Sequence, residues 1–185
     1  MKRIYLVRHA CSSAPPGVMV GSTDYPLSGE GIKQAMELGR ELASVRFARA
    51  FVSPLSRARQ TAELILGPQY EPAGLEEVEA FREISLGQWE GLSKKVIGQK
   101  YPRLWAERGA KPESVAPPDG ENFLQLAARV NPVFTIVSQS PGDNLLVVAH
   151  RAVNLVILAG ERQVPLSEVW SEQWPYGAFR VLERA

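Results

Sequence analysis

Cysteine is almost missing from this 185-residue chain: the single one, Cys11, cannot close an intramolecular disulfide, so the chain reads as a protein of a reducing compartment. Histidine is scarce as well. Two histidines and one cysteine are too few for a structural zinc site, and no metal is expected. Neither sign of charge is in surplus, with 21 Lys and Arg against 20 Asp and Glu, so no global field favours DNA, RNA or anionic lipid. Any anion binding must come from local clusters. No apolar run approaches the length of a membrane span, and the basic start Met1-Lys2-Arg3 leads into a run that breaks at Arg8-His9, short of a secretion signal. A soluble cytoplasmic protein with no nucleic-acid or membrane partner is expected; an oligomer is left open.

Several common signatures are lacking too. There is no G-x-x-x-x-G-K-[ST], so phosphate is not held by a Walker loop, and Gly29-x-Gly31 lacks the third glycine of a dinucleotide fingerprint. No G-x-S-x-G elbow occurs. A cysteine phosphatase needs an arginine six positions after its nucleophile; after Cys11 that place holds Gly17.

What is present fits one domain over residues 1–185, with 45% hydrophobic and 22% charged residues. Ile4–Val7, Phe51-Val52 and Leu145–Ala149 are short continuous apolar runs, the pattern of strands covered on both faces. Between them, Ile32, Ala35, Met36, Gly39, Leu42 and Ala43 predict an amphipathic helix from about Ser28 to Val45, with Ser28 as its N-cap. Ser53-Pro54 announces a second helix, capped by Ser53 and running to Gly67. A third pattern covers residues 119–138, where Pro132 is expected to kink or split it. Phe179–Arg184 alternates like an edge strand. The stretch Gly91–Pro118, rich in proline and basic residues, reads as an insertion over one end of the sheet, either a lid or an ordinary surface excursion.

Both histidines directly follow an apolar strand-like run, His9 after Ile4–Arg8 and His150 after Leu145–Ala149. In an open α/β sheet such positions are carboxyl ends of strands, where ligands bind. Arg8 precedes His9 and Arg151 follows His150, and a guanidinium fork beside imidazole at that place points to a phosphate or carboxylate pocket.

These residues resemble a known family. Leu6-Val7-Arg8-His9, Pro26-Leu27-Ser28-x-x-Gly31-x-x-Gln34-Ala35, Ser53-Pro54-Leu55-x-Arg57-Ala58-x-Gln60-Thr61-Ala62, Glu83 within Phe81–Gly91, and Val147–His150 occur in the order seen in the histidine phosphatase superfamily, also called phosphoglycerate mutase-like. The resemblance spans nearly the whole chain and takes in alpha-ribazole phosphatases of cobalamin assembly. It implies a three-layer α/β/α sandwich with a mostly parallel central sheet, and a cofactor-free reaction through a phosphohistidine. His9 resembles the nucleophile, Arg8 and Arg57 the phosphate clamps, His150 the second histidine of the pocket and Glu83 the proton donor. Ala10, Gly21, Thr23 and Arg151 fall among the expected substrate-facing positions. Arg59, about 200° further round its helix than Arg57, is expected at the surface.

The chain departs from the family in four places: Ala10 replaces the usual glycine after the nucleophile, Cys11 the usual acidic residue, Pro15 an asparagine, and Arg151 the glycine after the second histidine. Arg151 either contacts a second anionic group of the substrate or projects into solvent. The expected activity is metal-independent hydrolysis of a small phosphorylated metabolite. A phosphoglycerate mutase-type transfer and a non-catalytic phospholigand-binding module are the alternatives.

Overall fold

The computed structural model describes residues 1–67 and 75–184. Five strands form one sheet: β1 (Lys2–Arg8), β2 (Arg49–Val52), β3 (Leu75–Glu77), β4 (Asn144–Ala149) and β5 (Phe179–Arg184), in the order β3-β2-β4-β1-β5. All neighbours run parallel except β5, which pairs antiparallel with β1 at the edge. Among the described residues seven α-helices accompany them: α1 (Gly29–Glu41), α2 (Ser56–Leu66), α3 (Lys94–Lys100), α4 (Pro102–Ala110), α5 (Phe123–Ser138), α6 (Arg151–Arg162) and α7 (Leu166–Val169).

The continuous apolar runs are buried on both faces, as their composition requires. Successive side chains of a strand point to opposite sides. Ile4, Leu6, Phe51, Leu145 and Val147 therefore face a core completed by Val130, Phe134, Val153 and Leu155 of α5 and α6. Tyr5, Val7, Val52, Leu146 and Val148 face Leu38 of α1 and Ala58, Ala62 and Ile65 of α2. The result is an α/β/α sandwich. Each fully buried Val, Leu or Phe contributes about 1.5–3 kcal/mol relative to exposure, so one misplaced register would expose a whole row.

Some local expectations need correction. Ser28 caps α1 by accepting from the Gly31 N–H at 3.0 Å, but the helix stops at Glu41 and its buried stripe is Gly31, Ala35 and Leu38. Ile32 and Met36 stand on its exposed flank. Periodicity alone had marked both flanks of one broad face. The helix α2 begins at Ser56, not Ser53; its first N–H is met by Asp24, whose carboxylate accepts from Ser56 N and from the Ser56 hydroxyl at 2.8 and 2.7 Å. Pro132 does not split α5, which starts from an Asn122/Gln125 capping box and continues to Ser138. The segment 91–118 contains α3 and α4. It is tied to the body by buried Ile97 and by Tyr101 and Trp105 against Trp89, with ring centroids 6.2 and 5.4 Å apart. No helix of the described residues is long and apolar enough to cross a membrane.

The topology decides where chemistry takes place. The chain leaves β1 towards α1 on one face and leaves adjacent β4 into α6 on the other, which opens a crevice at their carboxyl ends. Arg8 is in register with Ala149, so the next residues, His9 and His150, emerge side by side.

Candidate active site

His9 is buried, and its backbone N–H donates to the Ala149 carbonyl at 3.0 Å. Its Nδ1 lies 2.7 Å from the carbonyl oxygen of Ala10. A carbonyl only accepts, so Nδ1 carries the hydrogen and Nε2 keeps its lone pair. The ring of His150 sits 4.9 Å away, centroid to centroid.

The loop after His9 is held by the residues that carry the family resemblance. Thr61 Oγ1 accepts from Ala10 N at 3.0 Å and Gln34 Oε1 from Cys11 N at 3.0 Å, while Gln60 Oε1 takes Leu27 N at 2.7 Å. Gly31 lets α1 approach closely: a Cβ there would lie 1.9 Å from the Cys11 carbonyl oxygen. Thus α1 and α2 hold the loop after His9 through their side chains.

Two guanidinium groups flank the rings. Arg57, almost wholly buried, donates to the carbonyls of Thr23 and Gly21 at 2.8 and 2.9 Å. Arg8 donates to the Trp174 carbonyl at 2.6 Å and stacks over Tyr176, with its Cζ 3.9 Å from the ring centroid. A guanidinium has five donors, so both retain capacity for an oxyanion. Arg59, by contrast, pairs with Glu77 at the surface at 3.1 Å, as its helical position predicts.

Glu83 arrives on the loop after a short 3₁₀ turn, Glu79–Phe81, anchored by buried Phe81 and Ile84. Its carboxylate accepts from Ile84 N at 3.0 Å and from Ala152 N, in the first turn of α6, at 3.4 Å. Arg82 does not neutralise it; Arg82 pairs with Glu79 at 3.3 Å. Instead Arg129 of α5 fixes the backbone here, donating to the Ala80 and Glu83 carbonyls while paired with Glu121 at 2.7 Å. A cleft of about 270 Å³ opens beside Glu83, lined in part by Ser22, Ser85 and Arg82.

The charges are poised by burial. Desolvation holds the His9 pKa well below the usual imidazole value, and Arg57 pushes the same way; His150 is lowered likewise, by burial and then by His9. Burial raises the Glu83 carboxyl, against the opposing pull of Ile84 N–H and Arg57. Two neutral rings thus face an acid that holds its proton to higher pH than an ordinary carboxyl does.

These shifts predict acid sensitivity. The unfolded chain takes up protons on both histidines below about 6.5 while the folded chain resists, so their stability contribution is complete above that pH and declines below it. The slope reaches about 1.4 kcal/mol per pH unit for each ring. Glu83 works in the opposite direction, because a raised carboxyl pKa favours the folded state at low pH and loses that contribution as pH rises through the raised value. Urea unfolding between pH 7 and pH 5 should therefore show a steeper loss in wild type than in the double variant His9→Gln/His150→Gln. Parallel slopes would contradict it.

Of the expected substrate-facing residues, Ala10 is buried: its methyl packs with Leu27 and Ala35, and its N–H and carbonyl both have partners within the protein. Gly21 and Thr23 enter through their carbonyls, which hold Arg57. Their loop is in turn held by Glu90, which accepts from Ser22 N, Ser22 Oγ, Thr23 Oγ1 and Leu86 N. Burial alone would raise the Glu90 pKa, but these donors outweigh it and the net shift is downward. Arg151 donates to the Trp170 carbonyl at 3.1 Å, at the exposed rim. Sequence reasoning missed Ser53, Glu90, Arg129 and Tyr176. Glu90 lay inside a quoted motif and could have been found there; Arg129 and Tyr176 carry no local signal.

A family model described as the histidine phosphatase superfamily (branch 1) matches residues 4–185. The chain is 27% identical over 183 residues to the adenosylcobalamin/alpha-ribazole phosphatase of Salmonella typhimurium, covering 98% of this chain and 90% of that one. It is 32% identical over 178 residues to phosphoserine phosphatase 1 of Hydrogenobacter thermophilus, covering 92% and 81%. Among solved structures, YhfR of Bacillus stearothermophilus superposes with a TM-score of 0.88 at 32% identity, covering 99% and 91%. Two imidazoles side by side at a sheet's switch point, and a family match that omits only the first three residues, lead to one conclusion: the chain belongs to the histidine phosphatase superfamily, branch 1.

Proposed function

We propose that the protein is a phosphomonoesterase acting on a small phosphorylated metabolite through a phosphohistidine on His9. The observation that carries this reading is the adjacency of two neutral imidazoles, 4.9 Å apart, with buried Arg57, half-buried Arg8 and a carboxyl of raised pKa around them. His9 Nε2 attacks phosphorus, and the P–O ester bond breaks as the P–N bond forms. Arg8, Arg57 and His150 meet the charge that spreads over the equatorial oxygens. Glu83 gives its proton to the departing alkoxide. Water then attacks the phosphohistidine, Glu83 as carboxylate takes its proton, the P–N bond breaks, and Nε2 recovers its lone pair.

The single cysteine, unpaired, suits a reducing compartment, and the cytoplasm is the proposed location.

The test is turnover in the presence of a chelator, with an aryl phosphate and an alkyl phosphate as substrates. Wild type should release inorganic phosphate from both. Glu83→Gln should lose roughly 10²–10⁴-fold on the alkyl ester, whose alkoxide needs a proton, and less on the aryl ester, whose phenolate leaves unaided. Equal losses on both esters would remove Glu83 from its role as acid. Phosphoryl transfer between hydroxyls with little free phosphate would indicate a mutase instead.

A further inference from the structure

We propose that Ser53 is a positioning residue that sets the tautomer of His150, donating its hydroxyl hydrogen to Nε2 so that Nδ1 carries the ring's proton. Ser53 directly follows β2, His150 directly follows β4, and the two strands are hydrogen-bonded neighbours. Both side chains are fully buried, and Ser53 Oγ lies 2.7 Å from His150 Nε2. That one distance admits two arrangements of hydrogen, and the surroundings separate them.

Ser53 Oγ already accepts from Leu55 N–H at 3.3 Å. If Nε2–H also donated to it, the oxygen would accept twice while its own hydrogen sought another acceptor in a buried site. A bare Nδ1 would be a second orphan, since among the described residues no protein group bonds to it. If instead Oγ–H donates to Nε2, the serine is satisfied in both roles and a single group is left over, the Nδ1–H. Burying one unmatched group rather than two is the favoured arrangement, because each buried polar group without a partner bears its desolvation penalty in full. The arrangement is the better one before any ligand is considered.

It also suits the pocket. A phosphoryl oxygen only accepts, so a neutral imidazole assists it only through an N–H. The unpaired Nδ1–H belongs to a ring whose neighbours include His9, Arg57 and Arg8. The buried side chain of Asn154, one turn along α6, is also unpaired, but an amide offers both donor and acceptor and is compatible with either tautomer. Only the serine discriminates. The same logic gives His9 an Nδ1–H, directed at the Ala10 carbonyl. Both rings therefore share one tautomer, enforced by an acceptor in one case and by a donor in the other.

The link to catalysis rests on the phosphatase reading, whereas the tautomer does not, and the experiment keeps the two apart. With only two histidines in the chain, 15N-histidine labelling and two-bond 1H–15N correlation spectra report each ring, assigned with His9→Gln. Wild type near pH 7.5 should show His150 with Nδ1 protonated and Nε2 of the unprotonated type. Ser53→Ala should lose that preference, and Ser53→Thr, which keeps the hydroxyl, should restore it. In turnover of an aryl phosphate, Ser53→Ala should lower kcat on the order of 10- to 100-fold, as for other partners that orient an imidazole, with KM little changed and Thr recovering most of the loss. An Nε2–H ring in wild type, or an unchanged tautomer in Ser53→Ala, overturns the proposal whether or not the protein turns over phosphate esters. An intact tautomer in a protein without turnover would instead count against the phosphatase reading alone.

Discussion

Replacing His9 with alanine should reduce turnover by roughly 10⁵-fold or more, the loss seen when a covalent nucleophile is removed from an otherwise complete site. The reason lies in the division of labour. In the proposed mechanism Arg8, Arg57 and His150 meet charge in the transition state, and among the described residues His9 Nε2 supplies the lone pair that attacks phosphorus. Cys11 does not substitute: its Sγ lies 3.7 Å from the Ser12 carbonyl, and its backbone is drawn towards α1. Rapid quench should trap an acid-labile phosphoryl adduct in wild type and none in His9→Ala. Inorganic phosphate should still inhibit or bind weakly, since the arginines remain. The alanine variant also leaves the buried Ala10 carbonyl without its donor, at a cost of about 1–3 kcal/mol, so a melting curve should accompany the kinetics. Adduct formation in the variant would remove the mechanism altogether.

Exchanging Arg57 for lysine should cost roughly 10³-fold or more in kcat/KM, although charge is conserved. Arg57 is a fork in fixed geometry, with two arms on the Thr23 and Gly21 carbonyls and the guanidinium plane held for the phosphoryl group. An ammonium is a point charge on a flexible stem and cannot span both carbonyls and a ligand. The freed carbonyls belong to a loop that Glu90 holds from its other side, so the loop should persist while the cation wanders. Formation of the phosphohistidine, followed in single turnover, should slow more than its hydrolysis does in Glu83→Gln. A lysine variant with a tenth or more of wild-type kcat/KM would show that charge alone suffices.

The strands were legible because a buried parallel strand has a plain signature, an unbroken apolar run, and β1, β2 and β4 all carry it. Three-residue β3, with Leu75, Glu76 and Glu77, has no such run; it exists because its backbone pairs with Ala50–Val52. The helix α1 shows the limit of periodicity. Its repeat was correct, but Gly31 and Leu38 face the body while Ile32 and Met36 do not, and only the position of α2 and the Cys11 loop decides which flank is covered. Ser53 was misread for a related reason. Serine before proline is a common helix start, yet here the buried hydroxyl lies against an imidazole 97 residues away, just past the end of β4. Glu83 was recognised only through the motif around it, since a carboxyl's pKa depends on burial, which sequence spacing does not report.

What the polypeptide settled unaided was the placing of its two imidazoles, each directly after an apolar strand run and beside an arginine, at the carboxyl end of the sheet; Arg57 and Glu83 were recognised through the family motifs around them. Strand runs and motifs are short-range quantities that survive without a fold. The tertiary structure alone decided the protonation states and the supports. Burial makes the rings neutral and the acid reluctant to ionise, and hydrogen bonds across long sequence separations, from Ser53, Thr61, Glu90 and Arg129, set the direction of each group. Desolvation and hydrogen-bond geometry depend on every atom that surrounds a group, and that neighbourhood exists only once the sheet has brought β1, β2 and β4 together.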